Sequence, residues 1–283
     1  LRRPMAGNPP IYDNHIHMTP SGRNIDAIRE FEAAGGTGFT LVTLPYREVQ
    51  VSSSKDFVDS FDITYRMASL VREHTNVDVN VAVGPYPILL LGLVEKHGLD
   101  DAVGIMIEGM EIAGKAVAEG KAQALGEIGR PHFPVSEEIW NASNHILEAG
   151  MSIAKENRCP VIVHSEAGTT ETNLSLSEIA RKAGLDVEMV IKHSSPPFVT
   201  EEENYGVMPS IPASRKYIRE AIAKGSDRFM LETDYYDDPK KPGARMSVNT
   251  VPKRIKAMLT NGEMTEETVH RICGDIPDRM FRS

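Results

Sequence analysis

The segment Asp13-Asn14-His15-Ile16-His17 places two imidazoles two positions apart. On an extended strand, residues two apart point to the same face, about 7 Å from one another along it. His15 and His17 can therefore reach one cation through ring nitrogens at about 2.1 Å. Asp13 falls on that face one step deeper, where its carboxylate can accept the outer N–H of a ligating ring. Four later segments finish in residues of the same kind: Glu127 in 123–129, His164 in 161–164, His193 in 189–193 and Asp234 in 229–234. One histidine at the end of an apolar strand is more often hydrogen-bonded structure than a ligand. A carboxylate in the turn after a strand is more often a helix cap. Six such residues in one recurring position are a different matter: four imidazoles and two carboxylates suffice for two divalent metal ions sharing a bridging carboxylate.

Such a constellation needs elements that bring distant segments together. Short runs rich in Val, Ile and Leu occur at 11–18, 38–45, 77–84, 122–129, 160–165, 187–194, 205–211 and 228–234. Amphipathic helical stretches separate most of them, and 138–157 is a long example, with Ile139, Ile146, Leu147, Ile153 and Ala154 on one face. Ser175 and Glu178 form a capping box that would open a helix, and Gly184 would stop it. Strands alternating with helices imply parallel pairing through right-handed crossovers. Eight units predict an α/β fold, a (β/α)8 TIM barrel in a single domain, with 1–10 as an N-terminal tail and 11–283 as the barrel. The weakest strand is the seventh, where Pro209 and Pro212 bracket a short run. No Gly-x-Gly-x-x-Gly turn follows the first strand, which argues against an open dinucleotide-binding sheet. In a barrel, active sites are built from the C-terminal ends of several strands, and that is where the six candidate ligands fall.

Composition limits the partners. The chain has 283 residues, with 31 Lys+Arg against 40 Asp+Glu, a formal charge of −9, so no extended nucleic-acid surface is expected. With 41% hydrophobic and 25% charged residues it reads as an ordinary folded domain. The longest apolar stretch, 88–94, is far too short for a membrane span, and no basic-then-apolar opening suggests a secretory signal. Cys159 and Cys273 lie too far apart in sequence for a disulfide framework and read as reduced thiols, giving the expectation of a cytoplasmic protein.

Taken together, Asp-x-His-x-His, Gly126-Glu127-Ile128-Gly129, the later histidines and Leu231-Glu232-Thr233-Asp234 resemble the TatD-like metal-dependent hydrolases of the amidohydrolase superfamily, from residue 11 to about 281. The resemblance implies that His15, His17 and Asp234 hold one metal, that His164 and His193 hold the other, and that Glu127 bridges them. It further implies a hydrolase in which hydroxide held by the metals attacks a phosphodiester, ester or amide bond. Glu127 and Asp234 would be the catalytic carboxylates, Asp234 taking the nucleophile's proton. The substrate would be a small molecule or a nucleic-acid end, with deoxyribonuclease or phosphodiesterase activity included. Four imidazoles favour Zn²⁺, while Mg²⁺, Mn²⁺, Ni²⁺ and Fe²⁺ also fit such donor sets. A non-hydrolytic, decarboxylase-like lyase of the same superfamily and a non-enzymatic metal-binding scaffold are the alternatives. Oligomeric state stays open.

The positions flanking the cage depart from the family pattern. Arg130-Pro131-His132 stands where Leu-Asp is usual, and Ser194-Ser195-Pro196 follows the last histidine in place of Cys-Phe. Arg130 and His132 would sit on the rim, suited to a phosphate or carboxylate, or would pack within their own loop. Glu232 shares a strand face with Asp234 and is a candidate to support the ligands. Glu166 and Lys192 could touch substrate or pair locally, and Tyr235-Tyr236-Asp237-Asp238 is expected as a lid-like loop.

Overall fold

A computed structural model describes residues 9–238, 240 and 245–282; most of the expected tail, 1–8, lies outside them. Nine strands run through it: β1 (Tyr12–His17), β2 (Gly38–Val42), β3 (Asp78–Val83), β4 (Ala124–Gly129), β5 (Val161–His164), β6 (Val190–Lys192), β7 (Met208–Pro212), β8 (Met230–Glu232) and β9 (Tyr235–Tyr236). Between them lie α1 (Ile25–Ala34), α2 (Asp56–His74), α3 (Leu89–His97), α4 (Leu99–Ala118), α5 (Glu137–Asn157), α6 (Thr170–Ala183), α7 (Glu201–Asn204) and α8 (Arg215–Ala223). Helices α9 (Thr250–Thr260), α10 (Glu266–His270) and α11 (Ile276–Phe281) follow. The strand order is β8-β7-β6-β5-β4-β3-β2-β1-β9, and every pairing is parallel. Because β9 leaves β8 after two residues and pairs with β1 at Ile16 and His17, the sheet curls back on itself. The fold is a single-domain (β/α)8 TIM barrel.

Alternation along the strands sorts the core into two layers. Val42, Ala82, Ala124, Ile162 and Ile191 form one buried cluster, while Leu41, Val81, Leu125, Val161 and Val163, each one step away, pack with the helices. His164 and His193 sit two positions beyond Ile162 and Ile191, so period-two geometry carries them onto the barrel interior. At the opposite end of β1, Phe281 of α11 stacks on Tyr12 with ring centroids 6.2 Å apart.

Some elements differ from the sequence expectation. In the sixth run, Val187–Met189 forms a 3-10 turn held by the Asp186 side chain, which accepts the Glu188 N–H. The seventh run starts late, at Met208, because Tyr205 caps α7 in the left-handed region; both prolines are then accommodated in β7. Helix α6 opens at Thr169, whose hydroxyl accepts the Thr172 N–H, and not at Ser175, which lies inside the helix. Gly184 ends it in the left-handed region, as expected. The segment expected as a lid is an edge: Tyr235 and Tyr236 pair with β1, and buried Asp237 accepts the N–H groups of Arg23 and Asn24. Both cysteines are buried and free.

Candidate metal centre

Two register shifts build the site. In β1, Tyr12 bonds inside the barrel to Thr40 and Asn80, and Asn14 reaches across to Ser210, so strict alternation would turn His15 and His17 outward. The register shifts between Asp13 and Ile16, after which His15 and His17 face inward and Ile16 packs with the helices. In β4 the same device operates. Ala124 and Gly126 face the interior, the register shifts between Gly126 and Ile128, and Glu127 turns in while Ile128 turns out. Bulges of this kind re-aim side chains beside functional sites. Gly129 completes the strand at φ +140°, where a Cβ would collide with the His164 carbonyl; only glycine allows the next N–H, that of Arg130, to donate to that carbonyl at 2.9 Å.

Glu127 is the hub. Its Oε1 lies 3.3 Å from His15 Nε2, 3.4 Å from His164 Nδ1 and 3.3 Å from His193 Nε2. His15 Nε2 and His17 Nε2 are 3.0 Å apart, and His17 Nε2 is 3.6 Å from Asp234 Oδ1. His17 Nδ1–H donates to the Val42 carbonyl at 2.9 Å, which leaves Nε2 with its lone pair aimed at the cluster. The ligand-type atoms of His15, His17 and Glu127, of Glu127, His164 and His193, and of His15, His193 and Asp234 each fall within 4.8 Å of one another. All six expected ligands thus converge.

Burial and charge set the state of the clustered groups. Burial alone would raise the Glu127 carboxyl, yet the surrounding His193, His15 and His164 hold it well below the ordinary carboxylate range. Burial lowers His17 to about 4, with His15 adding to the effect. Burial also works against protonation of His193, but Glu232 and Glu127 overcome it and raise the ring to about 9. Two imidazole nitrogens 3.0 Å apart, buried ring nitrogens of His15 and His164 without hydrogen-bond partners, and a buried carboxylate among three rings fit divalent metal ions bound by N and O donors.

The supporting candidates take distinct places. Glu232 is fully buried; its Oε1 lies 2.9 Å from His193 Nδ1 and accepts the Ser194 N–H at 2.9 Å, while Oε2 takes the Ser210 hydroxyl. Asp13 does not meet an imidazole. The bulge leaves it facing β8, where it accepts the N–H of His15 at 3.1 Å and the N–H and hydroxyl of Thr233 at 3.0 and 2.7 Å. Arg130 is not a rim residue either. It is fully buried, forks onto Glu166 (Nη2–Oε1 2.7 Å, Nε–Oε2 3.1 Å), donates to Asn144 and Ser175, and lies over the Trp140 ring at 4.5 Å. His132 does stand exposed on the rim, its Nδ1 2.9 Å from His164 Nε2.

A cavity of about 460 Å³ opens over the cluster, walled by His17, Glu127, His164, His193, Asp234, Leu44, Pro45, Tyr86, Tyr236 and Arg245. Sequence reasoning missed Tyr86 and Arg245. Tyr86 follows β3, so the strand-end rule that found the histidines would have pointed to it. Arg245, whose Nε is 2.8 Å from Asp234 Oδ2, comes from a segment beyond β9 that carries no strand signal. Asn14 and Ser210, which link β1 through β7 to Glu232, were hidden by the bulge.

Residues 12–282 match the family model described as TatD related DNase. The chain belongs to the TatD family. An uncharacterized protein of Methanocaldococcus jannaschii is 35% identical over 275 residues, covering 96% of this chain and 95% of that one. Among solved structures, the TatD homologue YjjV of Escherichia coli superposes with a TM-score of 0.65 at 18% identity, covering 96% and 98% of the two chains. A TatD-like protein of Archaeoglobus fulgidus gives 0.63 at 19%, covering 96% and 100%. This TatD chain is therefore a hydrolase-like barrel with a buried His/Glu cluster that could bind divalent metal. None of its described helices is long and apolar enough to cross a membrane.

Proposed function

We propose that the chain is a dinuclear metal-dependent hydrolase acting on a phosphodiester, ester or amide bond of a small molecule or a nucleic-acid end. The observation that carries this reading is the position of Glu127 Oε1, within 3.4 Å of ring nitrogens in β1, in β5 and just past the end of β6. His15, His17 and Asp234 would hold one ion, His164 and His193 the other, and Glu127 would lie between them. Four imidazoles favour zinc. When bound, the pair supplies an acidified water as nucleophile and positive charge to polarise the scissile group. The protein's own groups do the rest. Glu127 keeps its carboxylate ionised for the ions, Glu232 holds the His193 ring through Nδ1, and the Val42 carbonyl does the same for His17. Asp234, whose Oδ1 faces the cluster from the cavity wall, takes the proton released as water attacks.

The test is a panel of bis(p-nitrophenyl) phosphate, single-stranded DNA and acyl esters, run on metal-loaded protein with Glu127→Ala and Asp234→Asn variants that keep the wild-type circular dichroism. Turnover of at least one substrate, falling about 10²–10⁴-fold in Asp234→Asn, supports the reading. Metal-replete wild type that cleaves none of them refutes it.

A further inference from the structure

Beside the cluster, at the ends of β5 and β6, lies a second cavity of about 300 Å³. It shares His164, His193 and Asp234 with the first and adds Lys192, Glu166, Ser194 and His132; Arg245 borders both. Lys192 has no part in the chemistry above. It is only 2% exposed, its Nζ donates to the His193 carbonyl at 2.7 Å, and it forms no ion pair among the described residues. An ammonium carries three donors, so two are left for the cavity. Neither carboxylate in the same wall pairs with it: Glu166 takes both arms of the Arg130 fork, Asp234 takes Arg245 Nε, and Lys192 Nζ reaches neither within ion-pair distance. Glu232, Glu166 and Glu127 lie close enough for their charge to favour the ammonium, but none forms an ion pair with it, so a bound anion would meet donors not already taken. Arg245, at the mouth, uses Nε on Asp234 and has further guanidinium donors to offer.

We propose that this second cavity is an oxyanion subsite, in which Lys192 Nζ and Arg245 bind a phosphate or carboxylate group of the substrate next to the bond being cleaved. The assignment rests on the hydrolase reading, and it narrows the substrate class: esters or amides carrying a second, anionic group are preferred over neutral ones of the same leaving group. The Arg130–Glu166 and Arg245–Asp234 pairs contribute by offsetting the two carboxylates of the wall that would otherwise repel that group.

Isothermal titration calorimetry of metal-loaded protein with inorganic phosphate, and separately with acetate, tests this without turnover. Wild type should bind at least one anion, and the tighter one identifies whether the subsite takes phosphate or carboxylate. Lys192→Met should weaken that binding about tenfold or more with an unchanged metal content by elemental analysis. Folded, metal-replete Lys192→Met that binds both anions as wild type does overturns the proposal, as does a wild type that binds neither. If Lys192→Met does not fold, Arg245→Gln carries the test, a severalfold loss supporting the subsite and an unchanged affinity overturning it. Wild type that binds phosphate through Lys192 yet hydrolyses nothing removes the hydrolase reading and keeps the subsite. Wild type that hydrolyses substrate while Lys192→Met leaves anion affinity untouched does the reverse.

Discussion

Glu232→Gln keeps the size of a buried side chain while removing its charge and one of its acceptors. In the native site the two carboxylate oxygens face three donors: the Ser194 N–H at 2.9 Å, the Ser210 hydroxyl, and His193 Nδ1 at 2.9 Å. A carboxamide has one acceptor oxygen and must turn its NH2 toward at least one of them. Glu232 is 0% exposed, so a donor left unpaired there costs about 1–3 kcal/mol. Urea unfolding of the metal-free variant should show that loss. The ring of His193 also loses the anion that orients it toward Glu127, and removing such a partner from a metal-binding histidine weakens affinity about 10–100-fold. Competition with a coloured zinc chelator measures that directly. A variant destabilised as expected but binding zinc like wild type would show that Glu232 serves the fold alone, and the orienting role would be refuted.

Gly129→Ala should destabilise the barrel by about 1–3 kcal/mol in thermal unfolding, because φ +140° and the His164 carbonyl leave no place for a methyl group; wild-type stability would contradict the geometry. Far from the site, Arg219 grips Glu263 through Nε at 2.6 Å and holds its carboxyl at about 2, below its ordinary 4.5. A depressed carboxyl contributes stability above its unfolded value and loses it as pH falls through the folded one. Glu263→Gln should therefore melt below wild type at pH 6, and the gap should close between about pH 4.5 and 2. A gap that widens on acidification would reverse the assigned sign.

The barrel and the strand ends that carry the cluster are legible in the sequence, and His164 and His193 simply extend the period-two faces of Ile162 and Ile191, whereas His15, His17 and Glu127 face inward only because register shifts break that period. The residues that were misplaced lie where the period breaks. Asp13 was assigned to the His15 face by unbroken alternation, and the bulge turned it toward Thr233 instead. Arg130 looked like a rim cation because it follows Gly129, but Trp140 and Asn144 of α5, Ser175 of α6 and Glu166 enclose it, and such tertiary partners leave no local signature. Arg245 reaches Asp234 from a segment whose path no local pattern encodes.

On the proposed reading, residues from five strand ends would hold a pair of divalent ions. Elemental analysis of purified protein, followed by anomalous scattering at the edges of the metals found, tests it most directly. Two ions per chain, flanking Glu127 and lost together in Glu127→Ala, is the expected outcome. Protein that takes up no transition metal after incubation with zinc or manganese salts, with the six side chains in place, would contradict it.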